Sequence, residues 1–183
     1  MLVELSRKDA HKATMMGVDT VALCKMQGFA PRLENENQSR EDANSLGYMA
    51  EYAVARLLDL EEPEISVHTD GGVDLWAGDV SIDVKFTNMR TDPPLIFDSM
   101  SKFKADVAVL VTCEDDYHNI FKVHGWVTRR KFKNDCYKNN YGYGDRLVMD
   151  AEQLDKIEYL WGYMKAAQNG TLPSYMAETW GIV

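Results

Sequence analysis

The sequence predicts an α/β fold. Three features carry that reading: two helical segments near 6–27 and 39–60, a polar hairpin over Gly71–Thr87, and the almost unbroken apolar run Ala105–Cys113. A run of that kind suits a central strand buried on both faces. Helices, hairpin and buried strand alternate along one chain of 183 residues, which is enough for a sizeable core in a single domain, 1–183.

The first helix is expected over 6–27. Ser6 is placed to cap it, Asp9 follows three residues on, and Gly28 closes it. Its apolar stripe would be Val18, Val21, Ala22 and Met26, a packing or partner face that makes the helix a possible homodimer element. Ala30–Gln38 is polar, contains Pro31 and reads as a loop. Ser39-Arg40-Glu41-Asp42 has the form of a capping box and opens a helix to about Leu60. Leu46, Ala50, Ala53, Val54, Leu57 and Leu58 would face the core. Glu51 flanks that stripe, where a carboxylate is costly unless it is paired or meets a cation.

Ile65–His68 alternates as a short strand leading into the hairpin. Gly78-Asp79 suits a two-residue turn, since glycine supplies the positive φ. That turn sets Ala77 opposite Val80, Trp76 opposite Ser81, Leu75 opposite Ile82 and Asp74 opposite Asp83. Val73, Leu75, Ile82, Val84 and Phe86 then share the core face. Asp74, Trp76, Ser81, Asp83, Lys85 and Thr87 share the other. Two facing carboxylates repel, and Asp is a poor strand former. A hard divalent cation between them, Mg²⁺ or Mn²⁺, would account for the pair. Lys85 would then meet a phosphate or an attacking water.

After the break at Pro93-Pro94, Leu95–Phe103 is expected as a short helix. Ile120–Val127 reads as the next strand and Arg129–Lys133 as a short basic helix. Asn139–Gly144 reads as an aromatic–glycine loop. A helix should run from Asp150 or Ala151 through Trp161, and 169–183 is a weakly specified tail. Cys113, His118 and His124 match no common zinc spacing.

The net charge of −9 argues against a general nucleic-acid coat. The charge is uneven, however: Arg129, Arg130, Lys131 and Lys133 cluster in a stretch able to meet DNA locally. Three scattered cysteines without C-x-x-C, no apolar leader and no run of membrane-span length lead to the expectation of a reduced, cytoplasmic protein that does not enter a membrane.

Glu51 in Gly47-Tyr48-Met49-Ala50-Glu51-Tyr52, Asp74 in Gly72-Val73-Asp74-Leu75, and Asp83-Val84-Lys85, followed by Gly125-Trp126 on a later strand, resemble the PD-(D/E)xK nuclease superfamily. The resemblance spans about 40–160 and departs from the family pattern at Val73, where the family name has proline. It implies a restriction-endonuclease-like core, a central mixed sheet flanked by helices, with residues 1–38 as an added N-terminal helix and loop. It also implies Mg²⁺ or Mn²⁺ on Asp74, Asp83 and the Val84 carbonyl, Glu51 acting through water, and Lys85 at the attacking water. The expected activity is metal-dependent hydrolysis of DNA. The alternatives are a protein-interaction module using the acidic surface, or a DNA-binding module on the same fold without catalysis.

Overall fold

A computed structural model describes residues 1–28, 39–65, 72–140, 142 and 144–169. In chain order the elements are β1 (Leu2–Glu4), α1 (Arg7–Met26), α2 (Arg40–Leu58), β2 (Leu75–Ala77), β3 (Val80–Thr87), β4 (Pro94–Phe97), β5 (Val107–Cys113), β6 (Ile120–Thr128), α3 (Arg129–Asp135), β7 (Tyr137–Asn140), β8 (Asp145–Asp150) and α4 (Ile157–Gln168). A single 3₁₀ turn, Ala151–Gln153, precedes α4.

The architecture is α/β. A mixed five-stranded sheet has the order β1-β6-β5-β3-β2, with β3 and β5 parallel and the other pairs antiparallel. A second, three-stranded antiparallel sheet has the order β4-β8-β7. Helices α1, α2 and α4 cover one face of the large sheet through a core that includes Leu46, Ala53, Val54, Ile82, Val84, Val109 and Leu160. The small sheet and α3 cover the other face through Leu95, Phe97, Phe103, Leu110, Phe132 and Met149. Parallel strands need a crossover. Here the crossover from β3 to β5 carries β4, so Leu95–Phe97 is strand where a helix was expected. The short apolar run after two prolines fits either state, and pairing with β8 decides it.

The caps form as the sequence predicts. Ser6 accepts the Asp9 amide and Ser39 accepts the Asp42 amide. Helix α2 stops at Leu58, where Asp59 takes a left-handed conformation with φ 53°. Helix α1 buries Asp9, Ala13, Met16, Gly17 and Val21 against α2. The expected stripe is therefore wrong outside Val21, since Val18 and Met26 are exposed. A Cβ on Gly17 would lie 2.4 Å from Ser45 Oγ and 2.7 Å from Ser45 Cα. That close approach rotates α1 so that its small residues meet α2. Residues 1–28 are thus integral to the fold: β1 pairs with β6, and Leu5, Ala13 and Met16 join the main core.

The loop 30–38, most of the expected strand Ile65–His68, Tyr141, Tyr143 and nearly all of the tail lie outside the described residues. Asn139 and Asn140, expected in a loop, lie instead in β7, which pairs with β8; neither strand was part of the sequence reading. In place of one helix from Asp150, the 3₁₀ turn and α4 are separated by Leu154–Lys156. Among the described residues, no helix is long and apolar enough to cross a membrane.

Candidate active site

The hairpin register is the expected one at three positions: Leu75 pairs with Ile82, Trp76 with Ser81 and Ala77 with Val80. The ladder stops there. The Asp74 amide donates to the Ile82 carbonyl at 2.9 Å, so Asp74 is not squarely opposite Asp83. Its carboxylate instead accepts the Val84 amide, 2.6 Å from Oδ2. Val73 packs with the second core rather than beside Leu75, a second sign that the strand swings away before β2.

Asp83 pairs with Ala108 and Lys85 with Leu110 across the parallel ladder, so both side chains lie on the face covered by the small sheet. That face was expected to be polar. The small sheet covers it, so that Asp83 is fully buried while Lys85 stays partly exposed. Lys85 Nζ lies 2.5 Å from Asp83 Oδ1 and 5.0 Å from the centre of the Phe97 ring. The ammonium is thus held by a carboxylate on one side and an aromatic face on the other. Gly72, with φ +77°, approaches the same place: a Cβ there would lie 3.6 Å from Asp83 Oδ2 and 3.1 Å from the Lys102 carbonyl.

A residue in an extended strand points its N–H and C=O to the same side. The Val84 carbonyl therefore lies on the edge of β3 that Asp74 occupies. Asp74, Asp83, Val84 and Lys85 are brought together around one strand. Glu51 is half-buried on α2, a helix that covers the opposite face of the sheet. Among the described residues, no three His, Cys, Asp or Glu side chains gather as a metal-holding group.

Ser81, two residues before Asp83, fixes the strand. Its amide and hydroxyl donate to Asp106 Oδ2 at 2.8 and 2.6 Å, and the Asp106 amide returns a bond to Ser81. This clamp sets the register of β3 against β5. Phe97, Gly72 and the Ser81–Asp106 pair are the neighbours that sequence reasoning missed. The first lay in a segment read as helix, and the others depend on long-range contacts.

The basic stretch divides in two. Arg129 Nε donates to the Phe103 carbonyl at 2.5 Å, and its amide donates to the Asp106 carbonyl. Lys131 Nζ reaches the Gln153 carbonyl and Asp155 Oδ1, both at 3.0 Å. These two hold the loops around α3. Arg130 and Lys133 face solvent.

Comparison with protein-family models, with curated proteins and with solved structures finds no significant match.

Proposed function

We propose that this chain is a metal-dependent nuclease of the PD-(D/E)xK type that hydrolyses DNA phosphodiester bonds, with a restriction-endonuclease-like core. The observation that carries the reading is the wholly buried Asp83 with Lys85 Nζ 2.5 Å away, beside the Asp74 carboxylate on the edge of the same strand. A buried ion pair adds little stability over an apolar pair of similar size. Keeping one inside a strand therefore favours chemistry over architecture.

The donor set suits a hard cation. Two carboxylates and a backbone carbonyl are oxygen ligands, and Mg²⁺ commonly takes one or two carboxylates while keeping waters and substrate oxygens. Asp74, Asp83 and the Val84 carbonyl would hold Mg²⁺ or Mn²⁺. When bound, the ion supplies charge neutralisation and a lower pKa for water. Asp83 fixes the Lys85 ammonium by direct pairing, and the Phe97 ring limits where it can swing. Lys85, still partly open to solvent, positions the attacking water and meets the charge that develops on the phosphoryl oxygens. The resemblance would have Glu51 act through water, but α2 carries it over the opposite face of the sheet from Asp83 and Lys85, so no step is assigned to it. Lys133 and Arg130 offer charge to the flanking backbone.

The test is cleavage of supercoiled, linear duplex and single-stranded DNA with Mg²⁺, Mn²⁺ or EDTA. Metal-dependent cutting lost in Asp83→Asn and Lys85→Ala supports the reading; cutting by both variants at the wild-type rate rejects the site.

A further inference from the structure

A second polar cleft lies at the carboxyl ends of β3 and β5. It has a volume of about 530 Å³, within the range of small-molecule sites. Arg90, Lys122 and His124 line it from the large sheet, Lys122 and His124 on β6 and Arg90 tied to the end of β5; Asp92, Asp150 and Glu152 line it from the segments around β4 and β8 of the small sheet. The cleft belongs to the same sheet face as Asp83 and Lys85. Thr87, two residues beyond Lys85, pairs with Thr112, and Thr112 pairs with Lys122. At about 3.3 Å per residue and 4.8 Å per strand, the Cα atoms of Lys85 and Lys122 are ~12 Å apart.

The cationic side is built. Arg90 is held by the Cys113 carbonyl at 2.8 Å and by the exposed Asp116 at 3.0 Å. His124 Nε2 lies 2.8 Å from the buried Thr112 hydroxyl, which also donates to Glu114 at 2.7 Å. Lys122 is half-buried and has no ion-pair partner among the described residues. Burial and the neighbouring Lys122 charge hold the imidazole below its usual pKa. An anion seated here would relieve that repulsion. Asp92, in the segment leading into β4, is held at φ +46°, a left-handed conformation that a non-glycine residue adopts at some energetic cost.

We propose that this cleft seats one phosphorylated nucleotide. Its phosphate would meet Lys122, His124 and Arg90, and the amino groups of its base would face Asp92, Asp150 and Glu152. A continuing polyanion would run into the three carboxylates, so the site favours a terminal nucleotide or a free one over the middle of a strand. Only the naming of DNA as the larger ligand rests on the nuclease reading.

The test is calorimetric titration of the full chain in EDTA, where no metal-dependent cutting occurs, with dAMP and with deoxyadenosine. The expected result is dAMP binding at least about tenfold tighter than the nucleoside, and a loss of about tenfold in Lys122→Met. Lys8→Met, an exposed charge on α1, should bind as wild type. Competition by a 5′-phosphorylated 12-mer and by its hydroxyl-ended twin distinguishes the sources. Preference for the phosphorylated strand identifies a DNA end; dAMP binding with no competition from either strand identifies a free nucleotide. Equal affinity of wild type and Lys122→Met, or no binding of dAMP and the phosphorylated strand alike, overturns the proposal. Failure of the nuclease reading would instead appear as absent cleavage in Mg²⁺ and would leave this titration unchanged.

Discussion

Lys85 Nζ sits 2.5 Å from Asp83 Oδ1, with Asp83 wholly buried and the Lys85 side chain 35% exposed. The two partners therefore differ in what their removal costs. Without Lys85 a charge is stranded in the interior; without the Asp83 charge the lysine can turn to water.

Lys85→Met should destabilise the protein by about 2–3 kcal/mol, less than the 3–5 kcal/mol of a fully buried pair because water already reaches the lysine. Asp83→Asn keeps the shape and removes the charge, so its stability should stay within about 1 kcal/mol of wild type while cleavage is lost. Urea unfolding of both variants checks this. A stable, inactive Asp83→Asn protein assigns the carboxylate to chemistry; a collapsed one assigns it to the fold.

Arg56 ties α1 to α2. It donates to Asp9 Oδ2 at 3.2 Å and Oδ1 at 2.8 Å, and also to Glu62. The Arg56 hydrogen bonds hold the Asp9 carboxyl below its usual range. A depressed carboxyl stabilises above its unfolded pKa, about 3.8–3.9, and loses that contribution as pH falls through the folded value. Arg56→Ala should cost about 1–2 kcal/mol at pH 7, since 42% of the arginine side chain is exposed and screened. The gap between variant and wild type should narrow below pH 4, as denaturant melts at pH 7 and pH 3 would show.

Gly125→Ala should cost about 1–3 kcal/mol. Its Cβ would lie 2.6 Å from the Asp155 carbonyl and 2.8 Å from Leu154 Cβ. That segment exchanges backbone hydrogen bonds with the buried Trp126, at 3.0 and 2.8 Å. Thermal unfolding should show the loss, and Trp126 fluorescence should shift as the 154–156 segment lifts.

Lys133→Ala should leave the melting temperature unchanged and reduce the salt slope of DNA binding by about 1, as for one lost phosphate contact. Arg129→Ala should lower the melting temperature, because it removes the guanidinium bond to the Phe103 carbonyl. Titration at several salt concentrations, beside thermal melts, separates the two roles.

The hairpin register was legible because Gly78-Asp79 leaves one way to fold back, and a period of two then assigns every side chain. Its end was not legible. The swing that carries Asp74 to the Val84 amide depends on Gly72 passing Lys102 and Asp83. The buried strand β5 and the caps at Ser6 and Ser39 were also readable, since each follows from local chemistry. β1 and β7 were hidden: they are short and largely exposed, and Tyr137–Asn140 carries no apolar alternation. Closure over Asp83 and Lys85 was hidden for a different reason: the short apolar run Leu95–Phe97 suits helix or strand, and it is pairing with β8 and packing in the second core that set it over β3. The basic run could not reveal that Arg129 and Lys131 are spent on carbonyls and Asp155 far along the chain.

The central claim is that Asp74, Asp83 and Lys85 hydrolyse phosphodiester bonds with a divalent metal. The most direct measurement is the rate of DNA cleavage in Mg²⁺ and in EDTA for wild type and Asp83→Asn, on protein shown by urea unfolding to be folded. The account predicts cutting by wild type in Mg²⁺, none in EDTA, and a loss of at least about a hundredfold in the variant. Equal rates for the folded variant and wild type would contradict it.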